Sequence, residues 1–241
     1  MSTILKVEDI HVAYGRIKII PGLSFELREG EVLGVIGPNG AGKTTLMNAL
    51  IGLVIPTQGK IIFDGVDITK MSPEKRCHLG LGRTYQIPRP FEGMTVFENV
   101  LVGASYGAGR TEAKARPYCI EAIKKVGLYE KKDILAGQLT LLDRKRLEIA
   151  RALGTNPKIL LLDEVAAGLT EAEVQDVQDL VADLKTTGIT IMWIEHVIKT
   201  MVESTDKLMC LSTGSLLRYG DPLETMNCAE VQEVYLGVDE E

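Results

Sequence analysis

The sequence contains few cysteines, and they are not arranged for metal binding or for a disulfide framework. Four are present among 241 residues, at Cys77, Cys119, Cys210 and Cys228, and no two of them form a CxxC pair. Zinc sites and disulfide-rich folds place their cysteines at short, repeated spacings. We therefore expect reduced thiols buried in the fold rather than a zinc centre or a set of disulfides.

Long hydrophobic runs are also missing. Crossing a bilayer takes about 20 consecutive apolar residues, and a run such as Ile159–Leu162 already ends at Asp163. The first ten residues include Lys6, Glu8 and Asp9, where a secretory signal needs an apolar stretch. We expect a cytoplasmic protein, which would serve a membrane only from outside the lipid.

Positive charge is not in excess either. The 27 lysines and arginines are outnumbered by 33 aspartates and glutamates, the formal net charge is −6, and residues 239–241 are all acidic. Nonspecific nucleic-acid binding needs a basic face. Nucleic acid is therefore not an expected partner.

The chain does contain an alternation of short apolar runs with helical patterns. Three such pairs occur, namely 31–37 with 44–52, 158–163 with 171–187, and 190–195 with 197–204. This alternation predicts a parallel sheet covered by helices. The clearest helix begins at Glu171, because Thr170 and Glu173 form a capping box ahead of an apolar stripe.

The remaining regions have other patterns. β-Branched residues between glycine and proline turns predict antiparallel strands at 4–14, 17–27 and 60–64. From 87 to 153 strand signals nearly vanish, and helices are predicted at 95–102, 112–126 and 141–153. We predict an α/β fold with a mostly parallel core (1–86 and 156–241), an N-terminal antiparallel subdomain and an inserted α-helical subdomain (87–155).

A phosphate-binding motif lies between the first predicted core strand and its helix. Residues 37–44 read GPNGAGKT and match GxxxxGK[ST]. Such a loop surrounds phosphates with backbone N–H groups, and the helix N-terminus adds its positive dipole. Lys43 would contact the β- and γ-phosphates, and Thr44 would offer its hydroxyl to Mg²⁺. The predicted nucleotide-binding residues of this loop are Gly37, Pro38, Asn39, Gly40, Ala41, Gly42, Lys43, Thr44 and Thr45.

Two carboxylates follow a second apolar strand. Lys158–Leu162 leads directly into Asp163 and Glu164. Parallel sheets bind ligands at the carboxyl ends of their strands, so we predict that Asp163 belongs to the Mg²⁺ shell and that Glu164 faces the attacking water. The alternative is a solvated acidic turn after a buried strand.

Two further polar residues follow strand-like segments. Gln86 comes after 83–85, where its amide would reach the metal or the water, and His196 comes after 191–195, where its imidazole would donate to the γ-phosphate. Taken alone, Gln86 is typical of a surface amide and His196 of a structural histidine. Their functional interpretation depends on the two motifs above.

The ordered set of motifs resembles the nucleotide-binding subunit of ABC transporters. The resemblance covers nearly the entire chain and rests on Tyr14, 37–44, Gln86, 139–153, 163–164 and His196. It implies an ATPase that uses ATP and Mg²⁺, with Glu164 as the general base and His196 as the sensor of the γ-phosphate. Gln86 would bind the metal and link it to the helical subdomain. Tyr14 would stack on adenine, although alone it is an ordinary strand aromatic.

The resemblance also implies partners. Two ATPase subunits, identical or related, would close on ATP, while transmembrane permease subunits would bind the helical subdomain. The chain would then lie peripherally on the inner face of the cell membrane, with a periplasmic solute-binding protein as an indirect partner. Segments 82–86, 94–100, 146–151 and 166–169 are similar to the ATPases of branched-chain amino acid importers and of importers for related small polar solutes.

Two rival functions remain open. One is an ABC-type ATPase that acts with soluble partners instead of a permease. The other is a phosphate-loop kinase, which does not require the set formed by Gln86 and His196.

One segment departs from the family. Residues 139–143 read LTLLD, where the family has LSGGQ, and this signature loop contacts the ATP of the opposite subunit. The residues that would act in trans are Thr140, Leu141, Leu142 and Asp143. Leucines restrict the close approach that glycines permit. Either the loop is adapted, or it completes a weak ATP site beside a partner with a standard loop, and we take the weak site as the hypothesis.

Overall fold

A computed structural model describes residues 2–236 of the protein. The acidic residues 239–241 lie outside the described part. The strands within it are β1 (Thr3–Tyr14), β2 (Ile17–Arg28), β3 (Val32–Ile36), β4 (Gln58–Phe63), β5 (Val66–Asp67), β6 (Leu81–Arg83), β7 (Ile159–Asp163), β8 (Thr190–Ile194), β9 (Lys207–Ser212) and β10 (Ser215–Gly220).

Helices form the other elements of the described chain. They are α1 (Lys43–Ile51), α2 (Pro73–Leu79), α3 (Val96–Val102), α4 (Glu112–Lys125), α5 (Leu141–Gly154), α6 (Glu171–Thr186), α7 (Ile198–Ser204), α8 (Pro222–Met226) and α9 (Ala229–Leu236). A π-helical turn, Gly103–Gly107, extends α3, and two short 3₁₀ turns (Tyr129–Lys131 and Ala136–Gln138) precede α5.

The chain divides into two compact units, and each is described by itself. The loop unit, named for the phosphate loop 37–44, comprises residues 2–73 and 190–236, and the acidic unit, named only for the carboxylates of Asp163 and Glu164, comprises residues 74–189. The predicted division into a core and a subdomain at 87–155 stays a prediction.

The loop unit contains the antiparallel strands and the first part of the parallel sheet. β2, β1, β4 and β5 form one antiparallel sheet in that order. β3 pairs in parallel with both β8 and β9, and β10 is antiparallel to β9. All five residues of β3 and all five of β8 are buried, as expected for strands covered on both faces.

The acidic unit joins a parallel strand pair to a group of helices. β6 pairs with β7, with Arg83 opposite Leu161. Helices α3, α4 and α5 pack on one another, and α5 also contacts both strands. The π-helical turn passes close to α5, because a Cβ added to Gly103 would lie 2.5 Å from the carbonyl oxygen of Arg151. Glycine is therefore required at that position.

The predicted α/β fold is confirmed in class and in most elements. The capping box of Thr170 and Glu173 starts α6 at Glu171, as predicted. All four cysteines are free, but only Cys119 and Cys210 are buried, whereas Cys77 and Cys228 are half-buried, so the expected burial is wrong for two of them. Across residues 2–236, no helix has the length and apolar character that a membrane span requires.

Candidate functional site

The phosphate loop joins β3 to α1 in a conformation that depends on glycine. Gly37 has φ of 151°, and a Cβ there would lie 2.2 Å from the carbonyl oxygen of Leu211. Gly42, the residue before α1, is left-handed with φ of 94°. The sequence GPNGAGKT therefore folds as its motif predicts, with glycines where L-residues would clash or be strained.

Lys43 is positioned across this loop. Its Nζ donates to the carbonyl oxygens of Gly37 at 2.6 Å and Pro38 at 3.1 Å, and the residue is 6% exposed. No side chain caps α1, since its N-cap is Gly42. The first turn, which includes the exposed Thr44 and half-buried Thr45, thus presents N–H groups and a positive dipole suited to phosphate.

His196 lies at the same edge of the parallel sheet as the loop. Val35 of β3 is paired with Ile194 of β8, so the two strands end side by side. The next residue, Glu195, is buried and accepts from the indole of Trp193, and His196 after it is exposed. The structure therefore brings His196 and the loop to one rim of the loop unit.

Tyr14 ends β1 with a half-exposed ring. Tyr14 is 48% exposed and pairs with Ile17 at the turn into β2. The same strand β2 approaches the loop, because a Cβ on Gly42 would lie 3.6 Å from Ile19. An accessible ring on this sheet is compatible with stacking on a base.

In the acidic unit, Asp163 ends β7 and forms a buried ion pair. Its Oδ2 lies 2.7 Å from Nη2 of Arg83, and the two side chains are only 5% and 7% exposed. The backbone N–H of Asp163 donates to the hydroxyl of Thr84 at 3.2 Å. The guanidinium thus offsets a carboxylate charge that burial would otherwise make costly.

Glu164 is held at both its side chain and its backbone. Its φ is 49°, a left-handed conformation that is strained for a residue other than glycine. Gln86 Nε2 donates to its carboxylate Oε2, and Lys145 Nζ donates to its carbonyl oxygen at 3.1 Å. The structure therefore brings Gln86, Asp163 and Glu164 to the ends of the paired strands β6 and β7, as the sequence predicts.

The signature segment forms the start of α5. The hydroxyl of Thr140 accepts from the backbone N–H of Asp143 at 3.2 Å and so caps the helix. Leu141 is 46% exposed, with its side chain beside the turn at Gly168. The Asp143 carboxylate lies 2.5 Å from Nζ of Lys131. Thr140 thus caps α5 through the backbone N–H of Asp143, whereas the Asp143 carboxylate is engaged by Lys131 instead of by the helix start.

Three cations of the site were not predicted. Arg83 and Lys131 have no signal in the sequence, because their acidic partners lie 80 and 12 residues away. Lys145 does have one, since it shares a helical face with the buried residues Ile149 and Ala152. A lysine in an apolar register indicates a buried polar contact.

The comparisons with known proteins agree with this geometry. The family model described as ABC transporter matches residues 20–167. The chain is 33% identical to the lipopolysaccharide export system ATP-binding protein LptB of Haemophilus influenzae, with 98% of each covered. It is 35% identical to the high-affinity branched-chain amino acid transport ATP-binding protein BraF of Pseudomonas aeruginosa, with 97% of this chain and 98% of that protein covered.

A solved structure gives the same result. The crystal structure of the ADP conformation of an ATP-binding cassette of an ABC transporter superposes with a TM-score of 0.90 at 31% identity, covering 98% of this chain and 100% of that one. The phosphate loop, the carboxylates after β7 and this full-length similarity lead to one conclusion. The chain belongs to the ABC transporter family and is an ATP-binding ATPase subunit.

Proposed function

We propose that this chain hydrolyses ATP to power an importer for branched-chain amino acids or related small polar solutes. The solute class is supported by the names of relatives such as BraF, which align over nearly the whole chain. The chain is nearly as similar to LptB, which belongs to an export system, at 33% identity. Overall sequence identity therefore does not distinguish an importer from an exporter. The similarity of segments 82–86 and 94–100 to importer ATPases supports import.

The observation that carries the proposal is the contact between Gln86 and Glu164. It joins the carboxylate proposed as general base to the segment that follows β6. That segment exposes apolar side chains, since Ile87 is 67% and Phe91 is 45% exposed. A partner bound to the segment would thus act on the hydrolytic carboxylate through one hydrogen bond.

The chemistry needs positioning and charge stabilisation rather than a covalent intermediate. Glu164 orients the water and accepts its proton. Lys43 offsets charge on the β- and γ-phosphates, His196 donates to the γ-phosphate, and Tyr14 stacks on adenine.

Magnesium is part of the proposal. Thr44, Gln86 and Asp163 offer hydroxyl, amide and carboxylate oxygens, the ligand class that Mg²⁺ prefers. Mg²⁺ bound with a nucleotide is typically held by one or two protein ligands together with phosphates and water. Bound Mg²⁺ would offset negative charge on the phosphates.

A groove of about 930 Å³ in the acidic unit is the proposed permease site. It lies along α3, the π-helical turn and the start of α4. Its lining combines apolar side chains, including Phe97, Leu101 and the 80% exposed Tyr106, with Arg110 and Arg116. A cytoplasmic helix of a permease subunit would place apolar residues against this surface, and the chain would then lie on the inner face of the cell membrane.

A second ATPase subunit, identical or related, completes the proposal. Thr140, Leu141, Leu142 and Asp143 would contact its ATP. The ion pair with Lys131 holds the Asp143 carboxylate within its own unit. This supports an adapted loop over the weak site taken as the hypothesis from the sequence.

Co-purification tests the partner. The tagged chain is expressed in its native host, membranes are solubilised in detergent, and captured proteins are identified. Integral permease subunits are the expected result, with a periplasmic solute-binding protein recovered only through them. Tyr106→Asp should reduce their recovery, whereas Tyr129→Asp, outside the groove lining, should not. Recovery of soluble partners alone would favour the rival function of a non-transport ATPase.

A further inference from the structure

Lys145 is a buried cation on the packed face of α5. The residue is 3% exposed, and its Nζ donates to the main-chain oxygen of Glu164 at 3.1 Å. Removing an ammonium from water is costly unless hydrogen bonds compensate. The position would otherwise suit an apolar residue, so the lysine indicates that this contact has a specific role.

The contact is made to a strained part of the chain. Glu164 has φ of 49°, and its carbonyl oxygen also accepts from the backbone N–H of Ala167 at 3.2 Å, which closes the turn after β7. A strained residue keeps its conformation only where the surroundings determine it strongly. Lys145 supplies one such restraint, and the direction of the Glu164 side chain depends on this backbone.

The same helix carries the signature residues. Thr140 caps α5 five residues before Lys145, and a helix rises about 1.5 Å per residue. About 7.5 Å of helix therefore separates Thr140 from Lys145, whose side chain contacts the carbonyl oxygen of Glu164. Movement of the signature end of α5 would move the ammonium relative to the turn.

We propose that Lys145 is a positioning residue for hydrolysis, which holds Glu164 in its productive backbone conformation and couples it to the signature end of α5. The inference rests on the proposed role of Glu164 as the general base. The carboxylate contacts the reacting water, and Lys145 acts through it.

The first experiment separates turnover from binding. Lys145→Met should lower kcat by about 10- to 100-fold, while KM for ATP and the affinity for a fluorescent ATP analogue stay within about twofold of wild type. Lys145→Arg should recover most of kcat, because the guanidinium can also donate to the carbonyl oxygen. Arg146→Gln is the matched control, since Arg146 on the same helix pairs with the half-exposed Asp176 and should leave kcat unchanged.

The second experiment tests the coupling. Thr140→Ala should lower kcat in the wild-type background, and adding it to Lys145→Met should cause little further loss, because coupled residues are not additive. Fully additive losses would reject the coupling.

The remaining outcomes are distinguishable. If Glu164→Gln retains turnover, the proposed base is wrong. If Glu164→Gln abolishes turnover but Lys145→Met has the kcat of wild type, or if Lys145→Arg is as impaired as Lys145→Met, the positioning role is wrong. Should Lys145→Met fail to fold, Lys145→Gln, whose shorter side chain weakens the contact, should have a kcat below that of Lys145→Arg with an unchanged KM, and a wild-type kcat in Lys145→Gln would then reject the positioning role.

Discussion

Lys131 and Asp143 form an ion pair at the start of α5, with Nζ 2.5 Å from Oδ2. The carboxylate is 6% exposed, whereas the lysine side chain is 45% exposed. The charge that replaces the usual signature glutamine is thus neutralised within the chain that carries it. A negative charge in this loop need not repel the phosphates of a partner's ATP.

Replacing Lys131 should destabilise the protein, because the buried Asp143 carboxylate loses the cation that offsets its charge. We expect Lys131→Met to lower the free energy of unfolding by about 1 to 3 kcal/mol, because a buried charge loses its partner. Urea unfolding measures this free energy in each variant. Lys132→Met is the matched control, since Lys132 pairs with the 81% exposed Asp133 and its loss should leave the free energy of unfolding almost unchanged. Asp143→Asn added to Lys131→Met should restore stability, and equal losses in Lys131→Met and Lys132→Met would contradict the burial argument.

Restoring a standard signature tests whether the loop is weak or adapted. On the weak-site hypothesis, the triple change Leu141→Gly, Leu142→Gly and Asp143→Gln should raise ATPase activity in the assembled complex, because glycines allow backbone N–H groups to approach phosphate. The steady-state rate of phosphate release measures the ATPase activity. No increase, or a loss, would show that the loop is adapted, as its pairing with Lys131 suggests.

Glu164→Gln should separate ATP binding from hydrolysis. The amide keeps the size of the carboxylate but cannot accept a proton from water, so turnover should fall by about 10²- to 10⁴-fold, with nucleotide affinity retained. Phosphate release and a fluorescent ATP analogue measure the two quantities. Glu173→Gln, in the capping box of α6, is the control and should keep its turnover. Unchanged hydrolysis in Glu164→Gln would remove the residue from its proposed role.

Local signals explain what the sequence predicts well. The capping box at Thr170 determines the start of α6, and the glycines of 37–44 determine the loop, because each acts within a few residues. The π-helical turn after α3 has no such signal, since the close approach of Gly103 to the carbonyl oxygen of Arg151 joins residues almost 50 positions apart. Short elements such as α2 and α8 also lack a periodic pattern long enough to detect.

The residues of the candidate site can likewise be separated into those with a local sequence signal and those without one. Asp163, Glu164 and the loop are predicted because motifs are contiguous in sequence. Arg83 is not, because its role comes from a strand that only the fold brings near, and the apolar register of Lys145 indicates a buried polar contact without identifying Glu164 as its partner. Long-range ion pairs and backbone contacts therefore mark the limit of prediction from a single sequence.

Thiol reactivity should report the burial of the cysteines. Burial raises the pKa of Cys119 and of Cys210 to about 11, so at pH 8 only about one in a thousand of these groups is the reactive thiolate, against about a quarter of ordinary thiols. Burial also raises the pKa of Cys77. We expect a disulfide reagent to modify Cys228 first, Cys77 slowly, and all four only after unfolding. Rapid modification of Cys119 or Cys210 in the native protein would contradict this order.

A substitution at Gly37 tests the loop most directly. In Gly37→Ala the added Cβ would meet the carbonyl oxygen of Leu211 at 2.2 Å, so β3, β9 or the loop must move. We expect a loss of about 2 to 4 kcal/mol of stability together with loss of nucleotide binding, because the loop carbonyl that accepts from Lys43 moves as well. Gly65→Ala is the control, since Gly65 also has positive φ, 76°, but open space around it. It should cost about 1 to 2 kcal/mol and keep full nucleotide affinity. Equal affinity in Gly37→Ala and Gly65→Ala would mean that the loop does not hold the phosphates.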